Sequence, residues 1–146
     1  MANIVPDSFK TDLLKSVFSF DTSGNSGTAF KLALYTSQGG FSTSTAAYTT
    51  SNEVSSSGTN YTAGGNALTN NGVAIASNVA YVDFADLTFS SVTLTATGAL
   101  IYKSASPFNA VLVLDFGGSK TATNGDFVIQ FPTPNSSSAI IRLGDA

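Results

Sequence analysis

The sequence predicts a mainly β protein, an antiparallel β-sandwich of jelly-roll or immunoglobulin-like type with one N-terminal α-helix. Three observations carry that expectation. From Thr28 onward, apolar and polar residues alternate with a period of two, as strands with one buried face require. The alternating runs recur at roughly 8–12-residue spacing with turn-forming residues between them. A helical pattern is confined to residues 1–20. The 146 residues suit one domain, long enough to bury roughly 70% of the unfolded surface without a disulfide or metal staple.

The helix comes first. Pro6 suits the first helical position, Asp7 complements the positive end of the helix dipole, and Phe9, Leu13, Leu14, Val17 and Phe18 fall on one broad face. "DTSGNSG", residues 21–27, ends the helix as a turn or short linker. In "AFKLALY" the alternation points Phe30, Leu32 and Leu34 one way and Lys31, Ala33 and Tyr35 the other. The same pattern returns in "VAYVDF", "LTFSSVTLT", "GALIY", "AVLVLDF", "FVIQF" and "AIIRL", which read as successive strands with one face on a core and one dressed in Ser and Thr. Asn71-Gly72 and Asn124-Gly125 are the turn dipeptides expected between antiparallel strands. Phe30, Leu32, Leu34, Leu112, Leu114, Phe127, Ile129 and Phe131 are the expected core.

One stretch departs from the pattern. Residues 38–68, with a polar loop at about 38–65, are poor in apolar residues but carry Phe41, Tyr48, Tyr61 and the chain's only glutamate, Glu53. A loop this long in a compact domain is functional or disordered. Either a neighbouring subunit holds it or it packs on its own domain.

Composition narrows the chemistry. Charged residues make up 10% of the chain, against about 25% in ordinary soluble domains. Polarity comes instead from 21 Ser, 18 Thr and 11 Asn. Interface cores are depleted in charge, so a surface this neutral suits a protein covered by neighbours; a merely Ser/Thr-rich sandwich is the alternative. A net charge of −3 with six scattered basic residues leaves no footprint for nucleic acid or anionic lipid. No run of 18 apolar residues could span a membrane, and "MANIVPDSFKTDLLKSVFSF" does not read as a secretory signal. The sequons at Asn60 and Asn135 therefore read as chance matches in a Ser/Thr-rich chain.

The absence of His and Cys removes the commonest general base, the thiolate nucleophile and the usual zinc and iron ligands. Asp83 and Asp86 sit three apart on an extended segment, which points them to opposite faces rather than pairing them. Asp21, Ser23 and Asn25 have the oxygen spacing of a calcium loop. Ser26 and Leu32, however, stand where an EF-hand needs glycine and glutamate. "GGSKT", residues 117–121, lacks the glycine spacing of a phosphate loop, and "DFG", residues 115–117, has no catalytic-loop partner. No catalytic, cofactor or metal residue is assigned, and the chain is expected to be non-enzymatic.

"MANIVPDSFKTDLLKSVFSFD", "FKLALYTSQGGF", "AAYTTSNEVSSSGTNYTAGGNALTN", "YVDFADLTFSSVTLTATGALIY" and "AVLVLDFGGSKTATNGDFVIQFP" together resemble a family of small proteins encoded in tailed-bacteriophage genomes. The resemblance covers nearly the whole chain, and "YTxxNEVxxxGxxYTAGG" is its most distinctive part. It implies a virion structural protein, with a capsid decoration (cement) protein on the major capsid lattice as the leading expectation. A tail or fibre protein binding a host glycan or receptor is the alternative. On this reading the partners are the major capsid protein and copies of the chain itself, as a trimer. Phe41, Tyr48 and Tyr61 are the candidate contacts, because tyrosine supplies large contact area at small entropy cost. Phe9 and Leu13 on the helix are the second candidate contact.

Overall fold

Strand β1, Phe30–Tyr35, lies inside the protein with both faces covered. The computed structural model describes residues 2–22 and 27–144. Helix α1, Asp7–Leu14, precedes β1. After it come β2 (Asn66–Leu68), β3 (Asn70–Ala76), β4 (Val79–Phe84), β5 (Leu87–Lys103), β6 (Ala110–Ile129) and β7 (Ile141–Leu143). They form two antiparallel sheets, one ordered β2-β1-β5-β6 and the other β3-β4-β7. The protein is thus mainly β with one short helix, and the sheets are open rather than closed into a barrel.

Both sheets contribute to one core. Phe30, Leu32 and Leu34 of β1 meet Val82 and Phe84 of β4 and Phe89, Val92 and Leu94 of β5. Phe18 and Phe20 join from the segment after the helix. Phe20 stacks on Phe30 with ring centroids 4.9 Å apart, and Phe84 meets Phe30 edge-on at 5.6 Å. The helix is shorter than its pattern suggested and Pro6 caps it from outside rather than opening it. Phe9 is buried, Leu13 is half-buried and Leu14 is 84% exposed, so the apolar face narrows to one side. Past Leu14 the chain bends, and Ser19 and Thr28 clasp across the next segment through Thr28 N–H to the Ser19 carbonyl (2.8 Å) and Ser19 N–H to Thr28 Oγ1 (2.7 Å). Ser23 and Asn25 of the calcium-like spacing, and the centre of the expected 21–27 linker, lie outside the described residues.

The strand boundaries differ from the expectation in one consistent way. "LTFSSVTLT" and "GALIY" are a single 17-residue strand, and "AVLVLDF" and "FVIQF" a single 20-residue one. They form one long hairpin that absorbs its extra residues in bulges. Asn124-Gly125 is one of these. Val92 faces Gly125 and Leu94 faces Ala122, so β6 spends an additional residue there, with Asn124 in the left-handed region at φ 48°. Asn71-Gly72 likewise sits at a bulge, in the β3–β4 pair, between Asn70 facing Phe84 and Gly72 facing Asp83. Asn-Gly supplies left-handed backbone, which a bulge needs as much as a turn does. The actual turn between β3 and β4 is Ser77-Asn78, both at positive φ (50° and 61°), as a two-residue hairpin of the primed type requires. "GGSKT" lies inside β6, where β5 advances from Gly98 to Ala96 while β6 advances from Asp115 to Lys120.

Alternation of buried and Ser/Thr-bearing positions holds for the first half of β5, where Val92, Leu94 and Ala96 point in and Thr93 and Thr95 point out. It fails from Gly98 to Tyr102, where every residue is buried. There the sheet carries a second apolar cluster on its far side, made of Ala33, Tyr35, Leu100, Tyr102, Ala110 and Val113 with Phe41. Gly98 is required at that point, because a Cβ would strike the buried Gln38 amide and the Leu114 carbonyl to which Gln38 donates. The expected core residues are buried except Phe131. It follows the end of β6, lies half-buried and packs against Phe84 at 5.7 Å.

Ile129 is 7% exposed in the shared core. Ile129→Ala should lower unfolding free energy by about 2–5 kcal/mol, as cavity-forming changes do. Urea unfolding checks this, and a change within about 0.5 kcal/mol of wild type, the range of surface substitutions, would show that the site is not core.

Candidate interface

The first part of the long polar segment covers the far face of the four-stranded sheet, and its second part sends Val54 and Tyr61 into the shared core. It leaves β1 at Thr36, whose N–H donates to the Asn52 carbonyl (2.8 Å), and Val54 N–H returns to the Leu34 carbonyl (2.9 Å). In between, Phe41 meets Tyr35 edge-on at 4.8 Å, and Tyr48 stacks on Tyr102 at 4.6 Å. Thr43 accepts from Asp7 N–H at the helix N-terminus (2.8 Å), and Ala46 accepts from Ala110 N–H (2.9 Å). The second part runs along β5, where Thr93 N–H reaches the Thr59 carbonyl (3.0 Å) and Tyr61 packs on Phe89 at 5.7 Å.

Glu53 joins the two parts. Its Oε2 accepts from Tyr48 Oη (2.6 Å), and its Oε1 accepts from Tyr61 Oη (2.8 Å) and from Gly64 N–H (2.6 Å). Tyr61 Oη in turn accepts from Leu34 N–H of β1 (3.0 Å). Tyr102 Oη donates to the Gly64 carbonyl (2.7 Å) and Tyr35 Oη to the Thr49 carbonyl (2.6 Å). Next to this network Gly65, at φ +71°, lies so close to β1 that a Cβ would strike the Leu32 carbonyl. One carboxylate therefore joins Tyr48, Tyr61 and both halves of the segment, while Tyr35 and Tyr102 fasten the same segment through its backbone carbonyls.

The surroundings push these phenols upward. Burial is the main cause for Tyr102, aided by the Glu53 charge, and raises it to about 12. Tyr35, Tyr48 and Tyr61 are raised further, chiefly by burial, with Glu53 adding to each.

This geometry relocates the residues singled out in the sequence. Phe41 is 8% exposed and Tyr61 3% exposed, both inside their own domain. Phe9 is buried as well, and Tyr48 is half-buried between Tyr102 and Glu53. Most of their contact area is already used within the chain. Tyr61→Ala would remove a core side chain and report on stability rather than attachment. Leu13 remains half open. It lines a groove of ≈ 670 Å³ between α1 and the C-terminal segment with Leu14, Ile140, Ile141 and Leu143. The acidic side chains stay dispersed: Asp83 accepts from Asn71 Nδ2 (2.7 Å) and Asp86 from Phe131 N–H (2.8 Å).

The large apolar side chains that do face solvent include Val73 (57%) and Ile75 (74%) on β3 and Val128 (53%) on β6. The signal for this patch in the sequence is "GVAIA", a short apolar run in which no polar residue alternates. Comparison with protein-family models, curated proteins and solved structures returns no match.

Two outcomes test the network. Glu53→Ala strands hydroxyl and amide donors in a partly buried setting, so it should cost about 2–4 kcal/mol and open residues 36–65 to protease. Glu53→Gln keeps an acceptor at Oε1 and should cost less. Equal stability of wild type and Glu53→Ala in urea would leave the carboxylate without the role given to it. On alkaline titration, raised phenol pKa values mean that the stability they confer is complete below about pH 10, the unfolded phenol value. It is lost as pH climbs through about 12 for Tyr102. Absorbance at phenolate wavelengths should therefore show most tyrosines ionising late and together with unfolding, and early reversible ionisation of all five would contradict the burial.

Proposed function

We propose that this chain is a non-enzymatic structural protein of a tailed-phage virion, a capsid decoration protein bound to the major capsid lattice. The observation that carries the reading is the contrast between a tightly tied polar segment and an uncharged arm, Val73–Asn78, left in solvent. A protein that works by covering neighbours needs a scaffold that stays in shape and a surface whose burial costs little desolvation. The low charge content and the resemblance to small phage proteins support the same reading. The sharing of one core by the two sheets supports, as scaffold, a β-sandwich of jelly-roll or immunoglobulin-like type.

Copy number in purified particles tests it. A lattice protein is present in hundreds of copies set by capsid symmetry. A few tens or fewer would favour a tail or adsorption protein, and absence from the particle would overturn the virion reading.

A further inference from the structure

We infer that β3 is a self-association edge, pairing antiparallel with β3 of a second copy of this chain about a twofold axis. Strand β3 is an edge strand, and among the described residues only β4 pairs with it. Beyond Ile75 the turn end of the β3–β4 hairpin, Ala76–Val79, extends past β7. Residues 73–78 are exposed on both faces, and β7 supports β4 only at Ala80, Tyr81 and Val82. Val73–Ile75 are thus the outer row of a small three-stranded sheet, whose open edge adds little stability until another strand covers it.

The chemistry of the free edge identifies what would pair with it. Ala76 and Val79 close the two-residue turn and so exchange both backbone bonds. Alternation then leaves the N–H and C=O of Val73 and Ile75 directed at the free edge. Groups so placed want another extended backbone. The side chains of Val73 and Ile75 lie on the face of their cross-strand partners Val82 and Ala80, and Val82 carries that face into the core. The arm thus extends the core-facing surface of the sheet into solvent.

Charge selects a second copy as the occupant. The chain is acidic, with a net charge of −3, so most approaches between copies oppose like charges. Residues 72–82 contain no charged side chain at all, and a twofold axis through β3 sets this neutral strip against itself. The edge also lacks the lysine or proline with which proteins block such pairing. With the axis at Ala74, Val73 of one copy faces Ile75 of the other, and the two three-stranded sheets become one six-stranded sheet. Isologous pairing of this kind closes on itself and does not propagate into a fibre.

The full-length chain tests this without reference to any particle. Sedimentation should give twice the chain mass at micromolar concentration. Ile75→Lys places two like charges across the axis and should weaken the dimer at least about tenfold. Because Ile75 is 74% exposed, circular dichroism should be unchanged. The chain contains no cysteine, so Ala74→Cys introduces a single thiol opposite its own symmetry mate, at a spacing that admits a disulfide. It should oxidise to a covalent dimer far faster than Ser119→Cys on the exposed bulge of β6. A monomer at all concentrations, a trimer, a dimer indifferent to Ile75→Lys, or equal cross-linking of the two cysteine variants would each overturn the inference. A dimer that fails to bind particles would overturn only the virion reading.

Discussion

Glu53 is the constraint on which the far side of the molecule depends. The four-stranded sheet carries apolar residues on both faces between Gly98 and Tyr102 of β5, yet the second sheet covers only one of them. Something else must exclude water from Tyr35, Leu100, Tyr102 and Val113. The segment that does so is rich in Ser, Thr and Gly and brings few apolar anchors of its own. Its backbone order would be costly to hold by packing alone. A carboxylate that accepts from two tyrosines and a backbone amide supplies directional bonds where hydrophobic area is short. The tyrosines suit the task because each fills apolar volume and still ends in a polar group that must be satisfied.

The long β5–β6 hairpin answers a second requirement. Strands of 17 and 20 residues are well beyond the usual length, and a sheet of that reach twists out of contact with anything flat. Register shifts along the pair bend it and change which face each residue serves. Gly117 and Gly118, both at positive φ, sit where β6 inserts most chain. Before that point β6 is buried on both faces, and after it the strand alternates again. The bulge therefore marks the border between the doubly covered and the singly covered parts of the sheet.

These two features explain what could be read from the sequence. Period-two runs reveal burial of Phe30, Leu32 and Leu34 directly, because that signal is local. The mainly β class and the single helix follow from the same local signal. The strand count was harder. Asn124-Gly125 specifies a left-handed backbone step, and nothing near it says whether the chain then reverses or continues. That decision belongs to the pairing of β6 with β5, formed with residues some thirty positions away. The latch was less legible still. Glu53 stands out as the only glutamate, but its partners Tyr48 and Tyr61 meet it through loop geometry that no repeat encodes. Aromatic residues in a polar loop suggest an outward-facing patch when the far face of the sheet is imagined as solvated. Since that face is apolar, the same aromatics turn inward.

That inversion leaves the exposed apolar area on other parts of the molecule. If the tyrosine segment were a loose binding loop, its removal from water by a neighbour would be the main gain on association. Here the gain has already been taken within the chain, and a partner could collect it only by breaking the Glu53 network first. Besides the groove beside α1, apolar area that is still available lies on β3, where Val73 and Ile75 continue the inner face of the sheet and stay exposed among the described residues. Exposed area of that kind, on an edge with unpaired backbone groups and no charge, needs no prior opening and little desolvation of charge to be buried. A protein poor in charge gives up the usual means of keeping copies apart, so a defined pairing edge also limits where contact occurs. The rigid far side and the open near edge are thus complementary, the first fixing the shape of the sheet that the second extends.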